Sequence, residues 1–158
     1  MKLKTERLVL KLQSPAEVLE WVETLPPEVR REISESWLSR LKQANQPDPW
    51  SCMFKISLKS SQDFIGSCGF KGPPDEIKAV EITYGIEQLY RSCGYATESV
   101  CALVQFAMAH QQVNTLHAHT KCENTASERV LLKAGLRLIG ELEDPEDGLV
   151  NRWEFCVE

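Results

Sequence analysis

The chain has 158 residues, of which 26% are charged and 42% hydrophobic, with a formal net charge of −5. That length can bury one core without metals or disulfides, and the composition is that of a globular chain, not a disordered one. The negative balance argues against a nucleic-acid binder, and no apolar run approaches a membrane span.

The start, with Lys2, Lys4 and Glu6, lacks the pattern of a signal peptide. Six cysteines, at 52, 68, 93, 101, 122 and 156, form neither a C-x-x-C pair nor a His-linked zinc spacing. Several sit in apolar runs, where a free thiol packs as a small hydrophobe. These features predict one domain over 1–158, reduced and cytoplasmic, with no metal and no membrane partner.

In chain order, Arg7 to Leu12 alternates as a half-buried strand. Ser14-Pro15-Ala16-Glu17 reads as a capping box with proline at the first helical position, followed by the stripe Ala16, Leu19, Trp21, Val22. Pro26-Pro27 ends that helix and opens another, with Val29, Ile33, Trp37, Leu41 and Ala44 at roughly helical spacing. Trp50 to Leu58 alternates as a strand with one buried face, and Phe64 to Phe70 returns as its hairpin partner. Gly66 and Gly69 there point to a bulge or a close backbone approach.

After the polar loop 71–78, Ala79 to Glu87 is a strand, with a local change of alternation expected from a bulge at its far end. Residues 95–110 form a helix that is apolar nearly all round and so lies deep against the sheet. Thr115 to Thr120 is then a strand parallel to 79–87, joined to it by that helix. Helix 125–134 has Thr125-x-x-Glu128 at its start and Gly135 past its end. Strands over about 136–142 and 149–157 flank an acidic loop, 143–148. This order predicts an α/β (α+β) domain with a mixed sheet of about seven strands flanked by helices.

The stretch Tyr90 to Ala96 joins strand 79–87 to helix 95–110. Backbone N–H groups converge at such a junction and the helix dipole makes the spot positive, which suits phosphate. Gly94 permits a tight turn without a side chain in the way, and Arg91 adds a fixed positive charge. No G-x-G-x-x-G and no G-K-[ST] occurs, which argues against hydride chemistry and nucleoside triphosphate hydrolysis.

Arg91-Ser92-Cys93-Gly94-Tyr95-Ala96 resembles the (Q/R)-x-x-G-x-(G/A) pyrophosphate loop of the GCN5-related N-acetyltransferases (GNAT). Glu81 to Ile86 looks like that family's bent central strand. Ala118-His119-Thr120 through Asn124 and Ser127, followed by Val130-Leu131-Leu132-Lys133-Ala134-Gly135-Leu136, is similar to the A-H-T-x-x-x-N-x-x-S…V-L-x-K-x-G-F signature of the RimJ/RimL-type branch. The opening Thr5-Glu6-Arg7-Leu8-Val9-Leu10 matches how such chains begin.

The resemblance implies the acyl-CoA N-acyltransferase fold, with two parallel strands splayed at its centre. It also implies acetyl-CoA as co-substrate. The pantetheine arm would lie along Tyr84, Gly85 and Ile86, the pyrophosphate on Arg91, Ser92, Cys93, Gly94, Tyr95 and Ala96, and an N–H near Ile86 would face the thioester oxygen. Glu81 is the leading base for the amine, against the alternative of a solvated edge charge. His119 is a second base, against a structural histidine, and His117 a weaker one. Ser127 could donate a hydrogen bond to the departing sulfur, or simply help cap its helix; Asn124 could cap, bind pantetheine, or do both. Cys93 reads as a variable loop position.

The function this implies is direct acetyl transfer to a primary amine, either a protein or peptide N-terminus or a small molecule. The acidic loop 143–147 would favour a cationic acceptor, or be only a solvated turn. A non-catalytic acyl-CoA-binding regulatory module is the alternative, and the sequence leaves both the acceptor and homodimerisation open.

Overall fold

The computed structural model describes residues 1–145 and 147–156. Among them eight strands form one sheet, in the order β1 (Lys2–Lys4), β2 (Leu8–Leu12), β3 (Met53–Leu58), β4 (Phe64–Phe70), β5 (Ala79–Ile86), β6 (Thr115–Lys121), β8 (Gly148–Cys156), β7 (Arg137–Asp144). The strand beyond the expected seven is β1. It is only three residues long and pairs with β2 across the Thr5–Arg7 turn, too short to leave a periodic signal.

Among the described residues five helices accompany the sheet: α1 (Pro15–Glu23), α2 (Pro27–Arg30), α3 (Glu35–Gln43), α4 (Tyr95–Met108) and α5 (Thr125–Lys133). Ser14 caps α1 by accepting from the Glu17 N–H at 3.2 Å. The single helix expected after Pro26-Pro27 is two helices. Ser34 accepts from the Trp37 N–H and starts α3 afresh, so only Trp37 and Leu41 of the expected stripe are buried, while Val29 is exposed. β3 likewise starts at Met53 and not at Trp50, because the Asp48 turn takes the N–H groups of Trp50, Ser51 and Cys52. The expected acidic loop is shorter than 143–148. Pairing continues to Asp144↔Gly148, with Pro145 and Asp147 in the turn; Glu146 and Val157 lie outside the described residues.

Leu8, Leu10, Phe54, Ile56, Cys68, Val80 and Ile82 form part of one buried cluster with Val100, Leu103 and Ala107 of α4. Phe106 of α4 packs against Phe54, Phe70 and Trp50. Each such buried aliphatic or aromatic side chain is worth about 1.5–3 kcal/mol relative to exposure. At the β3 end the alternation fails because Met53 is buried as well, as are Trp37 and Leu41 of α3.

β4 carries the bulge that Gly66 points to, whereas the one expected at the far end of β5 is absent from its ladder with β4. The β3–β4 register jumps from Ile56↔Gly66 to Ser57↔Phe64, leaving Ile65 as the extra residue, whereas β4–β5 runs unbroken from Gly66↔Ile86 to Phe70↔Ile82. All pairings are antiparallel except β5–β6, which is short: Ala79↔Thr115, Val80↔Leu116, Glu81↔His117. Beyond it β5 stays with β4 and β6 stays with β8, so the two strands part and leave a wedge.

Candidate active site

The wedge exposes backbone that a sheet would normally pair. Lys71 N–H donates to Glu81 O, and Glu87 N–H to Ile65 O. Because an antiparallel ladder alternates, the odd residues of β5 therefore bond β4, and the N–H groups of Tyr84 and Ile86 point into the gap. An extended ligand bearing amides can fill such a gap.

At the open end a 3₁₀ turn, Gln88–Tyr90, leads into the loop. Ser92 and Gly94 have φ of 64° and 85°, a left-handed geometry that glycine tolerates without cost. Gly94 is the N-cap of α4 and contributes no side-chain cap, so the first-turn N–H groups remain available to an anion. Arg91 is held by its Nε donating to Ile86 O at 2.9 Å.

A cavity of about 650 Å³ runs from Tyr84, Gly85 and Ile86 past Arg91, Ser92, Gly94, Tyr95 and Ala96 to Asn124 and Ser127. Its wall also includes Arg129 and Lys133, one turn apart on α5, which sequence reasoning missed although their spacing places them on one helical face. Cys93 is exposed and lies outside that wall. A second cavity of about 310 Å³ shares Tyr84 to Ile86 and Arg91 with the first, and reaches Trp21, Met53, Phe64 and Glu87. Gly85 has nothing within 4 Å of where a Cβ would stand, so its missing side chain leaves open space.

Glu81 sits at the last paired position before the wedge, on the same face of β5 as Thr83 and Gly85. It lines neither cavity. Its Oε1 is 3.0 Å from His119 Nδ1 and 3.2 Å from Lys71 Nζ, and its Oε2 is 3.9 Å from His117 Nε2. His119 Nδ1 is also 3.7 Å from Asp144 Oδ2. Burial opposes ionisation of Glu81, but the His119 contact, the Lys71 ammonium and the two imidazoles outweigh it and bring the carboxyl down to about 2. Nε2 of His119 and Nδ1 of His117 are buried without a hydrogen-bond partner among the described residues.

Burial, aided by Arg152 and opposed by Glu81, lowers His117 to about 4, with His119 and Glu154 adding smaller, opposed effects. A group depressed on folding binds its proton less readily when folded, so its contribution is present above pH 6.5 and is lost as pH falls through about 4. Between these values wild type should therefore lose stability more steeply than His117→Gln, by up to about 1.4 kcal/mol per pH unit. Urea unfolding of both proteins at several pH values tests this; parallel slopes would remove His117 from the acid response.

Glu81, His117 and His119 can each present one donor atom within 4.8 Å of the others, a set chemically suited to a divalent cation such as zinc. Spacing rules miss it because one donor comes from a neighbouring strand. Lys71 already supplies a cation to Glu81 Oε1.

Asn124, and not Thr125, is the N-cap of α5, its side chain accepting from the Ser127 N–H at 3.2 Å. Glu128 instead accepts from Asn151. The Tyr84 hydroxyl donates to Ser127 O at 3.4 Å, which ties β5 to α5 across the wedge. Burial raises the Tyr84 pKa, so the phenol keeps its proton. No helix among the described residues is long and apolar enough to cross a membrane.

A mixed sheet opened between two parallel strands, with a left-handed loop and an uncapped helix N-terminus at the mouth of the gap, matches the acyl-CoA N-acyltransferase class of fold. The chain belongs to the acetyltransferase (GNAT) domain family, whose model matches residues 3–137. Among curated relatives it is 30% identical over 83 residues to the uncharacterized N-acetyltransferase YjdG of Bacillus subtilis (strain 168), covering 52% of this chain and 49% of that one. It is also 30% identical over 101 residues to the uncharacterized N-acetyltransferase p20 of Bacillus licheniformis, covering 64% and 52%. The matches thus span about half the length of these relatives.

Among solved structures, RimL, a ribosomal L7/L12 alpha-N-protein acetyltransferase in complex with coenzyme A, superposes with a TM-score of 0.74 at 14% identity, covering 99% of this chain and 98% of that one. AAC(6')-Ib in complex with ribostamycin and coenzyme A gives 0.71 at 16% identity, covering 96% and 94%. At such identities the likeness is one of fold.

Proposed function

We propose that the protein is an acetyl-CoA-dependent N-acetyltransferase that moves an acetyl group directly to a primary amine. The observation that carries this is the wedge beyond Glu81↔His117, opening onto the loop at the start of α4. The pantetheine amides pair with the free edge of β5, the pyrophosphate rests on Arg91 to Ala96, and the Ile86 N–H faces the thioester oxygen. The amine enters by the smaller cavity, beside Trp21 and Glu87, on the other side of β5.

The arriving ammonium gives one proton to the Glu81–His119 pair through water, since neither residue lines the cavity it enters. Glu81 stays ionised and steadies the imidazolium that forms on His119. The amine nitrogen attacks the carbonyl carbon, the C–S bond breaks, and the nitrogen's second proton is released. The sulfur takes a proton from the Tyr84 hydroxyl and leaves as a thiol, Ser127 donates a hydrogen bond to it, and the proton released by nitrogen restores Tyr84. One proton is released per turnover. A cationic amine suits the carboxylates of Glu81 and Glu87. The two structural neighbours support an amine acceptor, since one is named an alpha-N-protein acetyltransferase and the other an aminoglycoside acetyltransferase.

The test is release of free CoA from acetyl-CoA against a panel of protein N-termini, polyamines and amino sugars. Arg91→Glu should weaken acetyl-CoA binding roughly tenfold or more by placing like charge beside the pyrophosphate, with the fold intact by circular dichroism. Unchanged binding would refute the loop assignment. Tight binding with no turnover on any amine would favour a regulatory acyl-CoA-binding module.

A further inference from the structure

The Thr5–Arg7 turn between β1 and β2 plays no part in the reaction described above, yet it reaches 86 to 93 residues along the chain to the loop and to α4. Glu98, in the first turn of α4, receives three bonds from it. Thr5 Oγ1 donates to Oε1 at 2.6 Å, Arg7 N–H to Oε1 at 2.8 Å, and Arg7 Nε to Oε2 at 2.9 Å. The same guanidinium uses Nη1 to bond Cys93 O at 3.0 Å and lies 4.4 Å over the Tyr95 ring. A Cβ on Gly94 would stand 3.2 Å from Arg7 Nη2, so the arginine also lies close along the loop backbone.

We propose that Arg7 is a positioning residue for acetyl-CoA, fixing the loop Arg91 to Ala96 in the shape that receives the pyrophosphate. The inference rests on the reading of that loop as the phosphate cradle. Two physical consequences follow from the contacts. A carboxylate in the first turn of α4 would repel an incoming pyrophosphate, and Arg7 neutralises it. The Cys93–Gly94 peptide is planar and trans, so holding its C=O toward Arg7 turns the Gly94 N–H to the opposite side, away from Arg7. A loop with left-handed residues at Ser92 and Gly94 has several alternative shapes, and the fork of one guanidinium selects among them. Lysine carries the charge but lacks the planar fork needed to reach Glu98 and Cys93 O together.

The experiment is steady-state kinetics of wild type, Arg7→Gln and Arg7→Lys with two donors, acetyl-CoA and S-acetylpantetheine, the second of which has no pyrophosphate. Both variants should raise KM for acetyl-CoA roughly tenfold with kcat within about twofold, while KM for S-acetylpantetheine stays at the wild-type value. Wild-type behaviour of Arg7→Lys, or KM rising equally for both donors, would overturn the proposal. Should neither variant fold, Thr5→Val removes one tether of Glu98 and should show the same split at about threefold; equal effects on both donors would again overturn it. If wild type itself shows no saturable use of acetyl-CoA, the proposed function has failed and not this inference.

Discussion

Glu81→Gln should lower kcat for amine acetylation by about 10²- to 10⁴-fold, the range for loss of a positioned general acid–base group, while acetyl-CoA binds within twofold of wild type. Glutamine keeps the size of the side chain and removes its charge. His119 then loses the anion 3.0 Å from Nδ1 that makes room for a proton, and Lys71 loses its partner at 3.2 Å. Lys71 is 40% exposed, so its ammonium can turn to water and the fold should survive. The carboxyl at about 2 is already ionised at any pH at which the enzyme would be assayed, so its own titration cannot shape the pH–rate profile. His119→Gln should lower kcat as Glu81→Gln does, with acetyl-CoA affinity unchanged. Paired measurements of kcat and of acetyl-CoA affinity by calorimetry check both parts. A Gln variant with wild-type kcat would make Glu81 a structural anion and move the search for the base to Glu87 in the smaller cavity.

What could be read from the chain and what could not divide along physical lines. Features encoded by neighbours in sequence were legible: the alternation of β2, the apolar run of α4, and the loop from Arg91 to Ala96, because a cap, a period or a turn needs only nearby residues. The paired glycines were legible too; Gly66 lies beside the bulged Ile65 and against the backbone of β5. Competition between local signals was harder to judge. Val29 to Ala44 has helical spacing throughout, yet the Ser34 hydroxyl caps a new helix, and spacing cannot weigh a cap against continuation. Contacts set by topology were out of reach. Lys71 meets Glu81 because the β4–β5 ladder continues one step past Phe70. Arg7 meets Cys93 because α4 starts beside the β1–β2 turn. The candidate base Glu81 was visible as a residue, whereas its ionisation, set by those partners, was not.

The close approach of β4 and β5 yields the second large effect. A Cβ on Gly66 would fall 2.2 Å from Gly85 O and 3.0 Å from Ile86 Cα. Both are backbone atoms, so no side chain can turn aside, and the strands must separate at Gly66↔Ile86. β5 has no neighbour on its other side there, since pairing with β6 ends at Glu81↔His117. It should therefore yield into the wedge, carrying the Ile86 N–H and Gly85 into the space proposed for the thioester. Gly66→Ala is expected to cost about 1–3 kcal/mol, as overpacking of a tight site does, or about 2–12 °C in Tm for a domain of this size. KM for acetyl-CoA should rise and kcat fall, together by more than tenfold in kcat/KM. Gly85→Ala is the matched control. Its Cβ meets nothing within 4 Å, so Tm should stay within about 2 °C, while the added methyl enters space shared by the two cavities and impairs turnover. Differential scanning calorimetry beside the CoA-release assay separates the two cases. Loss of activity in Gly66→Ala at unchanged Tm would mean that β5 moves into the wedge at little cost, making the gap a soft element. Unchanged activity at lowered Tm would mean that β4 gives way instead, and that the wedge is held open by β5 itself.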